Sequence, residues 1–211
     1  MSDWGERMGR QLQAPGGIEG VLVGELMRWI NAGPYAHALK ALSVREGEAV
    51  LELGFGPGAG LRRLAATPAG AICGLDHSAT MLASARRRNR GQVLAGRMDL
   101  RCGRFDALPW KDSTFDWALL VNVVYFFADD GAEMRELHRT LRRSGQAVIF
   151  AIAEETMRKW PFAGPTTHRM FDARSLGKAL GEGGFRPQRI QINRLALPFG
   201  VSGLLAIARK D

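Results

Sequence analysis

At 211 residues the chain is long enough to bury a sizeable core, and a single domain is the default at this length. Its 46% hydrophobic and 24% charged residues are typical of a globular protein, and no apolar run approaches the roughly 18 residues of a membrane span. The formal net charge of +8 favours anionic partners, such as nucleic acid, an acidic lipid surface or an acidic metabolite.

The polar N-terminus and the cysteines set the expected compartment. Residues 1–7 lack the apolar core of a signal peptide, so a cytoplasmic location is expected. Cys73 and Cys102 fall within predicted strands, where buried free thiols are expected, although one disulfide between them stays open. No Cys/His cluster has the spacing of a zinc site, so no metal is expected.

Residues 1–45 are predicted to form one or two helices, because apolar residues recur there at helical spacing without strand alternation. Such a segment, placed before the first strand, cannot extend a doubly wound sheet and must cap it. It lies either over the carboxyl ends of the strands, as a lid, or on the outside of the sheet. Tyr35 is a candidate pocket residue here, as are Trp29, Asn31 and His37.

A glycine-rich loop follows the first predicted strand, the apolar run Ala49 to Leu53. Gly54, Gly56 and Gly58 alternate along this loop, and a helical pattern begins near Leu61. Glycine permits a tight turn and lets a ligand lie against the backbone. The helix that follows directs its free N–H groups at the bound group. Strand, loop and helix together predict a nucleotide-binding unit of an α/β sheet.

Two fingerprints fit this loop, and a plain structural turn is a third interpretation. Gly54, Gly56 and Ala59 match the G-x-G-x-x-G/A pattern of dinucleotide enzymes. The same two glycines with Glu52 and Gly58 match E-x-G-x-G-x-G, which resembles motif I of the class I S-adenosylmethionine-dependent methyltransferases. The rest of the chain has to separate these alternatives.

The second predicted strand, Ala71 to Asp76, ends in a carboxylate. Asp76 follows the first glycine by about 20 residues, where an acid accepts hydrogen bonds from ribose hydroxyls in nucleotide-binding βαβ units. The alternative is that Asp76 caps the next helix, Ala79 to Arg88, but Ser78 is available as its cap and leaves Asp76 free. Met98 to Cys102 is the third predicted strand.

The stretch Gly103 to Trp110 makes the resemblance specific. It resembles the G-D-A-x-x-L-P-F stretch of the UbiE-like branch of class I methyltransferases. There the aspartate accepts from the adenine amino group, and the next residue offers its backbone N–H to a ring nitrogen. Asp106 and Ala107 match these two positions, with Arg104 and Phe105 inserted before them. A dinucleotide oxidoreductase has no need of this acid, and an Asx turn before a proline is the other interpretation.

The fourth predicted strand, Phe115 to Val121, is apolar throughout, as a central parallel strand should be. In the family the end of this strand lies beside the methyl group and the substrate. The resemblance therefore makes Asn122 a cofactor contact. It makes Tyr125 a contact of the substrate, with anchoring of the following helix as the alternative.

The helix Ala132 to Leu141 leads into a turn where the family typically has L-K-P-G-G. Ser144 replaces the proline, and Gly145 is expected to supply the turn at the end of the helix. The fifth strand is predicted over Ala147 to Ile152.

Residues 154–171 show no clean periodicity, and the equivalent segment of the family is variable and helps to form the substrate pocket. Trp160, Phe162 and His168 are the candidates there. His168 and Tyr125 are also candidate catalytic residues, although a single histidine is more often a surface or core residue.

The C-terminal part is predicted to hold a helix from Asp172 to Leu180, capped by Asp172, and two strands near 188–196 and 203–208. A terminal hairpin places one strand antiparallel in the sheet, which a standard dinucleotide fold lacks. The resemblance implies an α/β, Rossmann-like three-layer sandwich with strand order 3-2-1-4-5-7-6 and strand 7 antiparallel. Residues 46–211 would form the catalytic domain, and residues 1–45 its helical cap.

The resemblance implies methyl transfer from S-adenosylmethionine to a small-molecule acceptor, quinone-like or lipid, by in-line displacement. An RNA methyltransferase is one alternative, but the end of strand four lacks an Asn-Pro-Pro-aromatic tetrapeptide, and nucleic acid is not expected as a partner. An NAD(P)-dependent oxidoreductase and a non-catalytic cofactor-binding protein are the others. A peripheral contact with acidic lipid stays open, and the sequence does not indicate the oligomeric state. The implied cofactor-binding residues are Glu52, Gly54, Phe55, Gly56, Gly58, Asp76, His77, Met81, Asp106, Ala107 and Asn122.

Overall fold

The computed structural model describes residues 31–164 and 167–211. Within them one sheet is formed by β1 (Ala49–Leu53), β2 (Ala71–Asp76), β3 (Met98–Cys102), β4 (Phe115–Val121), β5 (Leu141–Ile152), β6 (Ile190–Leu197) and β7 (Val201–Arg209). The order across the sheet is β3-β2-β1-β4-β5-β7-β6, which confirms the predicted order. β1 to β5 pair in parallel, and β7 is antiparallel to both β5 and β6, as predicted.

The strands are connected by α1 (Ala32–Ala41), α2 (Ala59–Leu64), α3 (Ala79–Arg88), α4 (Arg90–Leu94), α5 (Ala132–Thr140), α6 (Glu154–Met157) and α7 (Ala173–Glu182). Short 3₁₀ turns occupy Val124–Phe126, Pro187–Arg189 and Pro198–Gly200. α1 packs against β4, β5 and β7, α3 against β2 and β3, and α7 against β6. No helix in the described ranges combines the length and the apolar character that crossing a bilayer requires.

The central strands are covered on both faces. Successive side chains of a strand point to opposite faces of the sheet. Even so, residues 50–53 of β1 and 117–121 of β4 are buried without interruption. Continuous burial of this kind indicates helices on both sides of a parallel sheet, which is the predicted three-layer arrangement. The edge strand β6 instead alternates half-buried and exposed residues over much of its length.

The connection from α5 to β5 differs from the prediction. α5 ends at Thr140, and Leu141 already belongs to β5. Ser144 has the left-handed backbone, with φ of 65°, whereas Gly145 does not. Gly145 is required for another reason, since a Cβ there would lie 2.9 Å from the carbonyl oxygen of Arg142. The prediction that Gly145 turns the chain at the end of the helix was therefore wrong.

Both cysteines are free, and Cys73 is half-buried whereas Cys102 is exposed. Cys73 lies opposite Asp99 in the register of β2 and β3, and Cys102 lies opposite Asp76, so the two thiols do not face each other. Burial raises the pKa of the Cys73 thiol to about 12. Cys102 is exposed at the end of the edge strand β3, so the expectation of a buried thiol was wrong for this residue.

The described part of the predicted N-terminal cap is α1. Its residues Tyr35 and Ala38 are buried in the same core as the sheet. Trp29 and the rest of the segment 1–30 lie outside the described residues, so the lid stays a prediction.

Candidate functional site

The glycine loop after β1 turns through left-handed backbone. Gly54, Gly56 and Gly58 have φ of 68°, 52° and 82°, which is a conformation that L side chains rarely adopt. The Gly54 N–H donates to the Leu75 carbonyl at 2.8 Å, which ties the start of the loop to β2. A Cβ on Gly54 would lie 2.4 Å from a methyl carbon of Val123, so the loop also packs closely against the chain that follows β4.

Asp76, at the carboxyl end of β2, holds the glycine loop in place. It is only 4% exposed. One carboxylate oxygen accepts the Gly56 N–H at 2.8 Å, and the other accepts the Ser78 N–H at 2.9 Å. Ser78 caps α3 as predicted, by accepting the Met81 N–H. Asp76 is thus not free of structural bonds, although a carboxylate with two such bonds keeps further lone pairs for a ligand.

Burial raises the pKa of the Asp76 carboxyl, and the two backbone N–H donors and the neighbouring His77 act in the opposite direction. The ring nitrogen Nδ1 of His77 lies 3.9 Å from the carboxylate. The side chain of His77 is about one-third exposed, which leaves it at the rim of the site.

Glu52 is a fully buried carboxyl group in the middle of the sheet. Its Oε1 atom accepts a hydrogen bond from the Tyr35 hydroxyl at 2.5 Å. Its Oε2 atom has no hydrogen-bond partner among the described residues. Burial is the main cause that raises the pKa of Glu52 to about 8, while the bond from Tyr35 lowers it and the charge of Asp76 raises it. A buried carboxyl oxygen without a partner among the described residues is uncommon in folded proteins, and Oε2 of Glu133 is a second example here.

The loop after β3 carries the two residues predicted to recognise adenine. The Asp106 carboxylate is bound by the Arg104 guanidinium, with Nε at 2.8 Å from Oδ1 and a terminal nitrogen on Oδ2. This ion pair lowers the pKa of Asp106. The Ala107 N–H points at the Arg104 carbonyl at 3.4 Å, which is long for such a bond.

Phe105 anchors this loop on the rest of the site. Its buried ring meets the ring of His77 edge-on, with centroids 5.8 Å apart. It also lies 5.6 Å from the ring of Phe127. The two residues inserted into the motif therefore have different contacts. The Phe105 ring packs against two neighbouring rings, and the Arg104 guanidinium binds the Asp106 carboxylate.

Two predicted cofactor residues, Phe55 and Met81, have side chains in the core rather than in an open site. A Cβ on Gly74 would lie 2.7 Å from the Phe55 ring, which shows how closely that ring packs on β2. The Met81 N–H is donated to the Ser78 hydroxyl, and the Phe55 carbonyl accepts the Gly58 N–H.

The chain after β4 forms a hydrogen-bonded cluster around Asn122, whose backbone is left-handed with φ of 54°. The Asn122 amide nitrogen donates to Asn31 Oδ1 at 2.8 Å, and its oxygen accepts from the Tyr125 hydroxyl at 2.8 Å. The same hydroxyl accepts the N–H of Ile152. Tyr125 is buried, which raises the pKa of its hydroxyl, and both of its hydrogen-bonding roles are taken.

His168 is buried beside this cluster. Its ring lies 6.0 Å from that of Tyr125 and 5.0 Å from that of Phe126. Nδ1 is 2.9 Å from the Thr167 hydroxyl. Burial lowers the pKa of His168 to about 4, so its ring is neutral near pH 7.

Trp160 and Phe162 stack on each other with centroids 5.3 Å apart and planes 28° from parallel. Both are half-buried against the core, in the segment that follows α6. The pair offers a flat apolar surface near the end of β5.

A model of the methyltransferase domain matches residues 51–149, the part of the chain that holds the glycine loop, Asp76 and Asp106. This match, together with the relatives and solved structures below, supports a class I S-adenosylmethionine-dependent methyltransferase of the UbiE-like branch. It is 31% identical over 115 residues to the ubiquinone/menaquinone biosynthesis C-methyltransferase UbiE of Geobacter sulfurreducens, covering 54% of this chain and 45% of that relative. It is 35% identical over 113 residues to an uncharacterized 37.1 kDa protein in transposon TN4556 of Streptomyces fradiae, covering 53% and 32%.

The chain thus spans less than half the length of these curated relatives.

Solved methyltransferase structures share the fold. A putative methyltransferase of Haloferax volcanii, in complex with the Trm112 activator, superposes with a TM-score of 0.74 at 20% identity, covering 99% of this chain and 98% of that one. Haemonchus contortus phosphoethanolamine N-methyltransferase 2 superposes with 0.76 at 14% identity, covering 96% and 60%.

Within this methyltransferase fold, the predicted site residues fall into two groups. One group surrounds the ends of β1 to β3 and comprises the glycine loop, Glu52, Asp76, Asp106 and Ala107. The other follows β4 and β5 and comprises Asn122, Tyr125, Trp160 and His168. Tyr35 was predicted as a substrate contact, yet its hydroxyl binds Glu52. No pattern in the sequence indicates this bond, because the two residues belong to separate elements, a helix and a strand.

Proposed function

We propose that this protein transfers a methyl group from S-adenosylmethionine to a small-molecule acceptor. The observation that carries the proposal is the buried Glu52, one of whose oxygens has no partner among the described residues, together with the glycine loop that follows β1 and that Asp76 holds in place. A Cβ on Gly56 would meet no atom of the described residues within 4 Å, so the loop has open space beside this residue, whereas Gly54 and Gly58 pack against neighbours. An orphaned acceptor, an open loop and a second acid suit a cofactor with an ammonium group and a ribose.

The proposed contacts follow the order of the strands. Glu52 would hold the methionine end of the cofactor, the glycine loop its middle, and Asp76 its ribose. Asp106 and Ala107 would hold the adenine. When bound, S-adenosylmethionine would supply an electrophilic methyl group on a sulfonium that is a good leaving group.

The protein's own part is to align the acceptor and keep the site dry. The Tyr125 hydroxyl donates to Asn122 after β4 and accepts the N–H of Ile152 at the end of β5. These bonds orient the chain beside the reacting group. Trp160 and Phe162 provide an apolar wall. His168, neutral near pH 7, accepts a proton at a ring nitrogen if the acceptor atom still carries one when it attacks.

The acceptor we propose is a quinone-like or lipid molecule, and the protein acts in the cytoplasm. Named relatives support the acceptor class. They include UbiE and the 2-phytyl-1,4-naphtoquinone methyltransferase of Nostoc, to which the chain is 28% identical over 131 residues. The exposed face of the stacked Trp160–Phe162 pair suits a flat apolar ring.

Calorimetric titration tests the cofactor. We expect micromolar binding of S-adenosylmethionine, and no binding of NADH or NADPH run beside it. Binding of a nicotinamide instead would contradict the proposal.

A methyl-transfer assay tests the acceptor. It measures the transfer of a radiolabelled methyl group to a demethylated naphthoquinone, to phosphoethanolamine and to an RNA transcript. Label on the RNA alone would overturn the small-molecule acceptor.

A further inference from the structure

The two groups proposed to recognise adenine are both engaged by a single residue, Arg104. Its guanidinium binds both oxygens of the Asp106 carboxylate. Its backbone carbonyl receives the Ala107 N–H, at 3.4 Å. The carboxylate that would accept the adenine amino group therefore already has a partner, whereas the N–H that would meet a ring nitrogen makes only a long contact.

The backbone on either side of Arg104 is anchored. The Gly103 N–H donates to the Asp76 carbonyl at 3.0 Å, and the buried Phe105 ring packs against two neighbouring rings. Beyond the acid, the Leu108 N–H donates to the Glu136 carboxylate at 2.7 Å. The loop is thus held in shape, whereas the Arg104 side chain is 81% exposed and can leave without disturbing any packing.

Guanidinium and adenine present the same chemistry to Asp106. Each offers planar N–H donors to a carboxylate, and the fork of an arginine engages both oxygens at once. The adenine amino group cannot use the two lone pairs that the guanidinium occupies, and the bidentate ion pair leaves it only the remaining lone pairs of a carboxylate whose charge is largely neutralised. The two groups therefore compete for one acceptor.

We propose that Arg104 is a built-in occupant of the adenine subsite, which the cofactor must displace from Asp106 when it binds. This inference rests on the proposed cofactor. Arg104 then tunes cofactor affinity without contributing a contact to the bound state. Because exposed ion pairs are weak, the competition lowers affinity only about two- to fivefold.

The test titrates S-adenosylhomocysteine into the wild type, Arg104→Ala and the control Arg186→Ala. The sulfur of this ligand carries no charge, so repulsion between arginine and a sulfonium does not contribute. Arg186 is 72% exposed and its Nε lies 2.7 Å from Asp211 Oδ2. It precedes β6, at the opposite edge of the sheet from β3. The control therefore loses the same charge and the same kind of ion pair.

We expect Arg104→Ala to bind about two- to fivefold more tightly than the wild type, and Arg186→Ala to bind as the wild type does. In an Asp106→Asn background, the gain from Arg104→Ala should disappear, because the shared acceptor has lost its charge. Thermal unfolding checks that the variants fold alike. Equal or weaker binding by Arg104→Ala, beside a wild type that binds, overturns the role of Arg104 and leaves the proposed function standing. Absence of binding by every variant overturns both.

Discussion

Glu52 illustrates how burial changes the behaviour of a single residue. The carboxyl group loses its hydration in the centre of the sheet, and among the described residues one of its oxygens regains a hydrogen bond, from Tyr35, while the other does not. The neutral form is therefore favoured, and the pKa rises to about 8 from the ordinary 4.5.

The raised pKa of Glu52 predicts a pH dependence of stability. Between about pH 4.5 and 8 the unfolded chain has released this proton while the folded protein keeps it. The free energy of unfolding therefore falls as the pH rises through this window, by at most about 1.4 kcal/mol per pH unit from this group. Glu52→Gln removes that contribution, so urea unfolding from pH 5 to pH 9 should show a flatter curve than the wild type. Parallel curves would contradict the assignment.

Asp76 combines a structural and a proposed binding role. Asp76→Ala should weaken S-adenosylhomocysteine binding by roughly 2–4 kcal/mol, because charge-assisted bonds to the ribose are lost. It should also lower the free energy of unfolding by about 1–3 kcal/mol, since the N–H groups of the half-buried Gly56 and the buried Ser78 lose their acceptor.

Ser78→Ala is the matched control for Asp76→Ala. It removes the cap of the same helix and should cost about 1 kcal/mol of stability, with little change in ligand affinity. Calorimetry and urea unfolding measure the two effects separately. Unchanged affinity in Asp76→Ala would exclude the ribose contact.

At the scale of elements, the glycine loop has one side toward open space and one toward the core. Gly56→Ala should strain a left-handed residue by about 1–2 kcal/mol and obstruct the ligand, because its Cβ points into open space. Gly60→Ala in α2 places a Cβ 2.2 Å from the Tyr35 ring and 2.4 Å from Glu52 Oε1. This crowding should cost about 1–3 kcal/mol in the free energy of unfolding.

The matched pair separates binding from folding. Gly56→Ala should lose more ligand affinity than stability, and Gly60→Ala the reverse, as measured by calorimetry and urea unfolding. Tight binding by Gly56→Ala would show that the ligand does not lie against this loop.

The connection into β5 shows where a local pattern misleads. Glycine after a helix usually indicates a left-handed end, and Gly145 was interpreted in that way. The left-handed residue is instead Ser144, one position earlier, and Gly145 is needed for a close approach to the Arg142 carbonyl. The helix ends before Leu141 because Leu141 pairs with β4. That pairing forms only in the assembled sheet, so the local sequence does not indicate it.

For the whole molecule, α1 is the described element that joins the N-terminal segment to the sheet. Deleting residues 1–40 removes Tyr35 from the core and leaves Glu52 without its donor, whereas deleting residues 1–30 retains both. We expect the longer deletion to be less stable than the shorter by at least about 2 kcal/mol, from the lost burial of an aromatic side chain. Thermal and urea unfolding of the two truncated proteins check this.

The shorter deletion tests the predicted lid. If residues 1–30 cover the ligand, their removal should accelerate release of S-adenosylhomocysteine, measured by stopped-flow fluorescence. An unchanged release rate would indicate that this segment only packs.

The sequence by itself indicated the α/β class and the loops that bear the proposed cofactor contacts, and its resemblance to a known family implied the strand order. Hydrophobic runs, alternating glycines and the Asp106 motif are local signals. Each lies within one strand or one loop, so each predicts its element without reference to the rest of the fold. Only the tertiary structure decided which partners these residues have. Tyr35 reaches Glu52, and Asp76 holds the glycine loop, across elements far apart in the chain. Burial, which sets the pKa of Glu52 and of His168, depends on every element packed around them.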